Sequence, residues 1–346
     1  MHCRSKAHCR KRKFSPLLAI FFLTLLAVGL GFEPGQAKSV KKTGSNSKIT
    51  IADGSSINSV LLYVALKNGY FREEGLEVTC RLFSSGKAAL DAVREGKGDL
   101  ATVADLPIMF AVMEGARISV VASISKSFRE NAIVARKDKG IRSPSDLQGK
   151  KIGVPPGTAP DFFLDVYLIF NRIPLEKIKQ VPISGDLIPR ALENGDLDAA
   201  AIWKPHVLKL QDQLGANGYI DYGRNLYHMV WNLVGPEDFV KGSPETVKKI
   251  LRALMRGKDF VKEKPAEAQR IVASFLGLTE AQVVRSWNEY AFQVTLHPLL
   301  LMNLENQARW AIRKKSVSKR AVPNFLNHFY FEGLKAVDPE AVTVIY

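Results

Sequence analysis

The chain has 346 residues, of which 46% are hydrophobic and 24% charged, and its 49 Lys and Arg against 34 Asp and Glu give a formal net charge of +15. This composition is typical of a globular protein and excludes a collagen-like or largely disordered chain. The length exceeds what one hydrophobic core usually serves, so we expect two domains or lobes. The positive charge has four possible explanations: binding to nucleic acid, binding to an anionic membrane, binding of an anionic ligand, or a basic leader segment.

The N-terminal pattern predicts a secretory signal peptide over residues 1–37. Six basic residues precede an uncharged, mostly apolar run of 16 residues, 17–32. As a helix this run would be about 24 Å long, which is shorter than the ~30 Å hydrocarbon core of a bilayer. Gly35 and Ala37 suit the small-residue positions of a cleavage site, so we expect a mature, periplasmic chain that begins near Lys38. A retained anchor is the alternative.

The cysteines argue against a lipid-modified leader. Cys3 and Cys9 both precede the apolar run, so no cysteine stands where lipoprotein cleavage needs one. Cys80 would then be the single thiol of the mature chain. It lies in an alternating apolar run, which predicts a buried position in a strand rather than a reactive thiol. Residues 38–47 are polar and predict a flexible linker.

Strands and helices alternate over residues 48–130, which predicts a first α/β lobe with a largely parallel sheet. The predicted strands are 48–52, 77–83, 99–104 and 118–124, and the predicted helices are 57–65, 85–95 and 106–114.

The same order restarts over residues 131–226, which predicts a second lobe. A strand at 150–154 is followed by a turn and by a helix at 160–171. An internal similarity supports two related lobes, because AVREGKGDLA (92–101) aligns with ALENGDLDAA (191–200). Each copy is interpreted as a helix, a glycine stop and a buried strand. Trp203 thereby takes the strand-end position that Ala104 holds in the first lobe.

The last part of the chain, 227–346, is predicted to return to the first lobe with a strand at 227–234 and then mainly helices. These helices are predicted at 244–256, 266–276, 281–290 and 303–314. The basic stretch 313–320 is interpreted as a solvated helix end, with contact to anionic lipid or a permease as the alternative. Outside this stretch and residues 1–48, basic and acidic residues nearly balance, so the net charge argues for export and gives little support for nucleic acid binding.

Ligands of open α/β sheets bind beyond the carboxyl ends of the strands. Small hydroxyl residues and glycines recur in the loops at these ends, where helix N-termini can face an anion. Each Ser or Thr could instead only cap its own helix. The candidate ligand-binding residues are Gly54, Ser55, Ser56, Ser84, Ser85, Gly86, Ala104, Asp105, Ser123, Gly157, Thr158 and Trp203.

Two of these residues carry their own alternatives. Trp203 could stack on a heterocycle or cover the apolar part of a ligand, or it could belong to the core. Asp105 could accept a hydrogen bond from a ligand amine, or cap the helix that follows it. The other tryptophans of the mature chain are predicted to lie in the core: Trp231, Trp287 and Trp310.

Motifs of catalysis and metal binding are absent from the sequence. It contains no H-E-x-x-H, G-x-S-x-G, G-x-G-x-x-G or phosphate-binding P-loop motif, and its histidines lack metal-ligand spacing. We therefore predict a binding protein with no catalytic residue, metal or cofactor. A secreted enzyme or a sensory module on the same fold is the alternative.

Five segments in order resemble one known family: residues 67–78, 92–100, 146–158, 203–206 and 333–342. The chain resembles the periplasmic solute-binding proteins of nitrate, sulfonate, taurine and bicarbonate ABC importers, which are related to a group that binds pyrimidine precursors of thiamine. The resemblance implies an α/β, type II periplasmic binding fold. In that fold two lobes, each a mostly parallel sheet flanked by helices, close on a ligand in the cleft between them.

The resemblance also implies a function and a site. It implies a monomer that captures a small anionic solute and delivers it to an ABC permease with a separate ATPase subunit, so that the membrane surface is touched only transiently, through the permease. A pyrimidine thiamine precursor is the alternative ligand. The family's ligand-facing loops fall on the candidate residues already named. The sequence departs from the family at Pro155-Pro156 and at Lys204, which stands where an acidic residue often follows the Trp and would favour an anion if it faced the cleft.

Overall fold

A computed structural model describes residues 47–345. The predicted signal peptide and nearly all of the predicted linker lie outside these residues. The described part of the chain contains eleven strands: β1 (Ser47–Asp53), β2 (Leu76–Leu82), β3 (Leu100–Ala104), β4 (Ile118–Ser127), β5 (Asn131–Arg136), β6 (Lys151–Val154), β7 (Lys179–Pro182), β8 (Ala199–Trp203), β9 (Gly218–Asp221), β10 (Met229–Pro236) and β11 (Tyr290–Thr295).

Thirteen α-helices occur in the same residues: α1 (Val60–Lys67), α2 (Tyr70–Glu73), α3 (Gly86–Arg94), α4 (Asp105–Met113), α5 (Ala159–Phe170), α6 (Ile188–Asn194), α7 (His206–Leu214), α8 (Glu237–Gly242), α9 (Pro244–Glu263), α10 (Pro265–Leu276), α11 (Glu280–Ser286), α12 (Pro298–Arg313) and α13 (Phe331–Val337). Of these helices, none is both long and apolar enough to cross a membrane.

The strands form two sheets, which confirms the two-lobed α/β architecture. The six-stranded sheet of the first lobe has the order β11-β4-β10-β3-β1-β2, and the five-stranded sheet of the second lobe has the order β7-β6-β8-β5-β9. The chain crosses from the first sheet to the second after β4 and returns after β9. The exact lobe boundaries, 130/131 and 226/227, stay a prediction.

The sheets are mixed, which corrects the expectation that each would be mostly parallel. In the first sheet β1 pairs in parallel with β2 and β3, but β10 is antiparallel to β3 and β4, and β11 is antiparallel to β4. In the second sheet β6 is parallel to β7 and β8, while β5 is antiparallel to β8 and β9. The first strands after each crossing between lobes, β5 and β10, run against the parallel strands of their sheets, and β11 runs in the same direction as β10.

The internal similarity corresponds to one structural unit built twice. Gly96 and Gly195 both follow a helix with positive φ, +76° and +80°. Asp99 then accepts a hydrogen bond from the Thr50 amide (2.7 Å), and Asp198 accepts one from the Lys151 amide (2.9 Å). Each carboxylate thereby ties the start of a buried strand to its parallel neighbour. As predicted, β3 ends at Ala104 and β8 at Trp203.

Two helices are longer than their sequence patterns predicted. Helix α9 continues through Gly257, where the prediction ended it, because this glycine packs on α1: a Cβ there would lie 2.7 Å from the Leu61 carbonyl oxygen. Helix α12 begins at Pro298, with His297 as N-cap accepting from the Leu299 amide (3.1 Å). No strand was predicted where β11 lies, and its first residue, Tyr290, fell in the helix predicted at 281–290.

Several predictions of burial need adjustment. Trp231 and Trp310 are buried as predicted, at 5% and 6% exposed, but Trp287 is only half-buried. Cys80 is also only half-buried, because β2 forms the edge of its sheet. Within the basic stretch 313–320, Lys314 is not a free solvated cation: its Nζ lies 3.0 Å from carboxylate oxygens of Asp161 and Asp165.

Candidate functional site

A cleft lies between the two lobes, where strand ends of both sheets face each other. It consists of a deep cavity of about 30 Å³ and two wider outer cavities of about 440 Å³ and 320 Å³. Trp203 lines all three. The deep cavity is lined by Ser85, Gly86, Lys87, Ala104, Pro107, Met229 and Trp231 of the first lobe, by Asn131, Thr158, Ala159, Pro160 and Trp203 of the second, and by Glu130 between them.

The N-termini of α3 and α5 reach the deep cavity from opposite lobes. Ser85 is the N-cap of α3, and its hydroxyl accepts from the Ala88 amide (3.1 Å). Thr158 is the N-cap of α5, but its hydroxyl donates back to the Pro155 carbonyl (2.6 Å). Amides of the first helical turn have no partner within their helix, and helix dipoles place partial positive charge at both N-termini. The cleft is therefore suited to a negatively charged group.

The first-lobe wall of the deep cavity is tightly packed. Gly54, Gly86 and Trp231 meet there, and a Cβ at Gly54 would lie 2.5 Å from the Gly86 amide nitrogen. Trp231 donates from Nε1 to the Ser59 hydroxyl (2.9 Å), which fixes the plane of its ring. The two glycines are thus required by the close approach of a strand end, a helix start and an indole.

Gly86→Ala is expected to lower the free energy of unfolding by about 1–3 kcal/mol, the usual effect of overpacking. The added methyl would lie 2.8 Å from Trp231 Cη2 and 2.9 Å from Val103 Cα. Urea denaturation followed by fluorescence measures the change. Gly242→Ala is the control, since a Cβ at Gly242 meets nothing within 4 Å and the substitution should leave stability nearly unchanged. Equal effects of the two substitutions would contradict the close packing.

Trp203 forms the second-lobe wall. It is paired with Asn131 in the antiparallel register of β8 and β5, so the two side chains lie side by side on one face. Gly185 lies directly against the indole: a Cβ there would be 2.5 Å from its Cη2. His206 packs edge-on against the ring at 5.5 Å between centroids, and burial lowers the pKa of His206 to about 4. These contacts hold the indole in place where it lines the cavities.

Glu130 and Asn131 are cavity residues that sequence reasoning missed. Both are 3% exposed. Glu130 accepts hydrogen bonds from the Tyr290 hydroxyl (3.0 Å) and the Ser56 hydroxyl (3.4 Å), and burial raises the pKa of its carboxyl group. The Oδ1 atom of Asn131 is buried without a hydrogen-bond partner among the described residues. One sequence feature could have identified them: two adjacent polar residues, Glu130 and Asn131, stand immediately before the apolar residues of β5, where the chain crosses between lobes.

Seven of the twelve predicted site residues line the cleft. Ser85, Gly86, Ala104, Thr158 and Trp203 line the deep cavity, and Ser55 and Ser84 line the outer ones. The other five do not line any of these cavities: Gly54, Ser56, Asp105, Ser123 and Gly157.

Two of the predicted residues that do not line the cavities, Asp105 and Ser123, form hydrogen bonds inside the protein instead. Asp105 is fully buried, and its carboxylate accepts from the Tyr227 hydroxyl and from Asn303 Nδ2 (2.6 Å). It is the first residue of α4 rather than its N-cap, which is Ala104. Ser123 is likewise fully buried and donates to Asn232 Oδ1 (2.8 Å). Both side chains connect elements of the first lobe.

Lys204 does not line the three cavities of the cleft. It is 1% exposed, its Nζ is paired with the carboxylate of Glu289, and it lies 5.0 Å from the centroid of the Tyr222 ring. Burial lowers the pKa of Lys204, and the charge of Glu130 opposes that shift. Lys204 thus joins the second lobe to the segment before β11 on the side of Glu130.

No group of three or more metal-ligating side chains occurs in residues 47–345. What the site offers is a cavity between lobes, two helix N-termini, two indole rings and a buried polar pair. This arrangement can enclose and orient a small organic solute.

The chain matches one protein family and several described proteins. The family model described as "NMT1/THI5 like" matches residues 56–268. The taurine-binding periplasmic protein of Escherichia coli is 28% identical over 240 residues, covering 67% of this chain and 69% of that protein. A formylaminopyrimidine-binding protein of Halalkalibacterium halodurans is 24% identical over 243 residues, covering 69% of this chain and 73% of that protein.

The fold is that of a solved periplasmic-type binding protein. The alkanesulfonate-binding protein SsuA of Xanthomonas axonopodis pv. citri, solved with bound MOPS, superposes with a TM-score of 0.72 at 20% identity. The match covers 83% of this chain and 99% of that one. At this identity the likeness concerns the fold, and both lobes take part in it.

Proposed function

This chain belongs to the NMT1/THI5-like family, and from that premise we propose that it is the extracytoplasmic substrate-binding component of an ABC importer. It captures a small organic anion of the sulfonate class between its lobes and delivers it to a permease served by a separate ATPase subunit. The role is binding without catalysis. The export signal expected at residues 1–37 would place the chain in the periplasm.

The observation that carries the proposal is the meeting of two helix N-termini, one from each lobe, at one cavity. An anion held there bridges the lobes and stabilises the closed form by its differential affinity for it. Lys87 lines both the deep cavity and the larger outer cavity, where its Nζ is paired with Asp91 at 2.6 Å, so the positive potential comes from the helix N-termini. Hydrogen bonds to a charged group contribute about 1.5–3 kcal/mol each, so a few amide and hydroxyl donors suffice for micromolar binding.

The lining favours an organic anion over nitrate or bicarbonate. Met229, Pro107 and Pro160 surround the deep cavity together with two indole rings. A carbon chain would contact these apolar groups, whereas a small inorganic anion would leave them without a partner. The named relative that binds taurine fits this expectation.

A flat heterocycle is the second candidate, and one observation favours it. Trp203 and Trp231 line the same deep cavity from opposite lobes. Two indoles so placed suit an aromatic ring, which gains from stacked or edge-on contacts. The relative that binds formylaminopyrimidine is in accord with this ligand class.

A thermal-shift and calorimetric panel on the mature chain tests the proposal. The panel contains ethanesulfonate, taurine, nitrate, bicarbonate and an aminopyrimidine. We expect the sulfonates to raise the melting temperature in a concentration-dependent way, because a ligand that binds only the folded state stabilises it by mass action. Stabilisation by the aminopyrimidine alone would support the second candidate, and the absence of a shift with any compound would contradict both.

A further inference from the structure

A separate cavity lies beside the two segments that cross between the lobes. Its volume is about 340 Å³, which is within the usual range of small-molecule sites. Its lining residues differ from those of the three cavities in the cleft. We call it the crossing pocket, and its wall includes Arg129, Lys204, Gln211, Tyr222, Arg285 and Glu289.

Consecutive residues of the chain line the cleft and the crossing pocket. Glu130 lines the deep cavity, whereas Arg129 lines the crossing pocket. In the same way Trp203 lines the cleft, whereas Lys204 lines the crossing pocket. Tyr222 comes from the segment that returns to the first lobe after β9. Both crossing segments therefore line one pocket, which is distinct from the site proposed for the solute.

The wall of the crossing pocket carries more positive than negative charge. Its charged residues are three cations, Arg129, Lys204 and Arg285, and one carboxylate, Glu289. That carboxylate is shared, because Oε1 lies 2.9 Å from Arg129 Nε while Oε2 is paired with Lys204 Nζ. Burial lowers the pKa of Lys204, and the charge of Glu130 opposes this shift. The charges of Arg129 and Arg285 add to the lowering, so the cations repel one another and an anion between them would relieve the repulsion.

Two carboxylates outside the wall compensate part of this charge. Asp212 accepts from Nη1 and Nη2 of Arg285, both at 3.0 Å. The two side chains are 46% and 41% exposed, so this ion pair is screened by water. Glu130 belongs to the deep cavity, and burial raises its pKa, which favours its neutral form. Neither carboxylate lines the pocket, so the excess of positive charge stays in its wall.

The two guanidinium groups have hydrogen-bonding capacity left. Arg129 Nε is close to Glu289 but is a buried donor without a hydrogen bond among the described residues. The Arg129 guanidinium lies over the Tyr222 ring, with Cζ 4.2 Å from the ring centroid, which restrains its orientation. Arg285 donates two hydrogen bonds to Asp212, out of the five that a guanidinium can make. Two such groups match an anion with several acceptor oxygens, because arginine binds phosphate in bidentate geometry.

We propose that the crossing pocket is a second ligand site, which binds the phosphate group of a small molecule. A phosphate dianion compensates the two cations by which the wall exceeds its carboxylate, and a monoanion compensates only one. Leu208 and Ile220 also line the pocket, and they would contact the organic part of such a ligand. This inference goes beyond the proposed function, since it does not depend on what the cleft binds.

Calorimetric titration of the mature chain with inorganic phosphate, at constant ionic strength, tests the crossing pocket. We expect a dissociation constant below about 1 mM, which two or three hydrogen bonds to charged groups provide. Arg285→Gln and Arg129→Gln should each weaken phosphate binding at least about tenfold. Sulfate, also a dianion, should compete with phosphate, whereas nitrate at the same ionic strength should not.

A further titration, with phenyl phosphate, separates two sources of the phosphate group. Tighter binding than that of inorganic phosphate would support an organic phosphate, and equal binding would support free phosphate. Either result supports the site, provided that Arg285→Gln weakens it.

Two control variants should keep the wild-type affinity for phosphate. Arg309→Gln is the matched control, because Arg309 also forms an ion pair at the surface, with Glu305 (2.9 Å), and lies outside the pocket. Lys87→Gln removes the cation that lines the cleft. The melting temperature without phosphate verifies that each variant is folded. Arg285 is partly exposed, so Arg285→Gln decides the question even if Arg129→Gln does not fold.

Any of four results would overturn the site. The first is the absence of phosphate binding below 1 mM. The second is an equal loss of affinity in Arg285→Gln and Arg309→Gln, which would indicate nonspecific attraction to positive charge. The third is competition by nitrate as strong as by sulfate. The fourth is a loss of binding in Lys87→Gln with full affinity in Arg285→Gln, which would place phosphate in the cleft.

Discussion

Asp53→Ala is expected to lower the free energy of unfolding by about 3–5 kcal/mol, because it leaves several buried donors without an acceptor. Asp53 is fully buried at the carboxyl end of β1. Its carboxylate accepts from the Tyr63 hydroxyl (2.5 Å), the Thr102 hydroxyl (2.5 Å), the Ser59 hydroxyl and the Ser55 amide (2.9 Å). Burial raises the pKa of this carboxyl group, and the four donors oppose the rise.

Urea denaturation of the mature chain measures the loss. Asp53→Asn keeps the shape and one oxygen of the side chain and should be less damaging. Asp138→Ala is the matched control, since Asp138 forms an exposed ion pair with Arg136 (2.7 Å) and its removal should change stability little. If Asp53→Ala and Asp138→Ala were equally mild, the assignment of Asp53 as the centre of this hydrogen-bond cluster would be wrong.

The second large effect is expected on binding. Trp203→Ala should raise the dissociation constant by roughly 30- to 1000-fold, equivalent to about 2–4 kcal/mol, as for a central aromatic contact. Trp203 lines all three cavities of the cleft, so its removal opens the site to water on one side. The melting temperature without ligand should fall only moderately, because the half-buried indole packs against the edge of the second-lobe core.

Calorimetry with taurine and ethanesulfonate measures this change in the dissociation constant. Two further variants serve as comparisons. Trp203→Phe keeps an aromatic face and should recover part of the affinity. Leu187→Ala removes an apolar side chain that is 54% exposed and outside the cavities, so it should leave affinity unaltered. Unaltered affinity of Trp203→Ala would remove the proposed role of this residue.

Local sequence patterns predicted much of the fold because they act over short distances. The alternation of apolar residues identified most strands, and caps and glycines placed most helix ends within a few residues. Gly96 and Asp99 recur as Gly195 and Asp198. The repeat could be recognised in the sequence because both copies have the same local structure: a glycine with positive φ after a helix, then a carboxylate that accepts a hydrogen bond from the neighbouring strand. The strand-end position of Trp203 followed from that repeat.

The roles of several polar residues were not predictable in this way. Asp105 looked like a ligand acceptor or a cap, but its hydrogen-bond partners Tyr227 and Asn303 are 122 and 198 residues away in the chain. The sequence indicated that Lys204 would favour an anion if it faced the cleft. In the structure its Nζ is paired instead with Glu289, 85 residues away, and it does not line the cavities of the cleft. A pattern of neighbours carries no information about such partners.

By itself, then, the sequence determined the two-lobed α/β architecture and the loops that could hold a ligand, because periodicity, capping and strand-end chemistry are local properties. Only the tertiary structure decided which of those loops line the cleft, that the sheets are mixed, and that Glu130 and Asn131 are buried at its deep end. These outcomes depend on the crossing of the chain between lobes, which brings together side chains distant in sequence and excludes water from them. Burial is what leaves the Asn131 Oδ1 without a hydrogen-bond partner among the described residues.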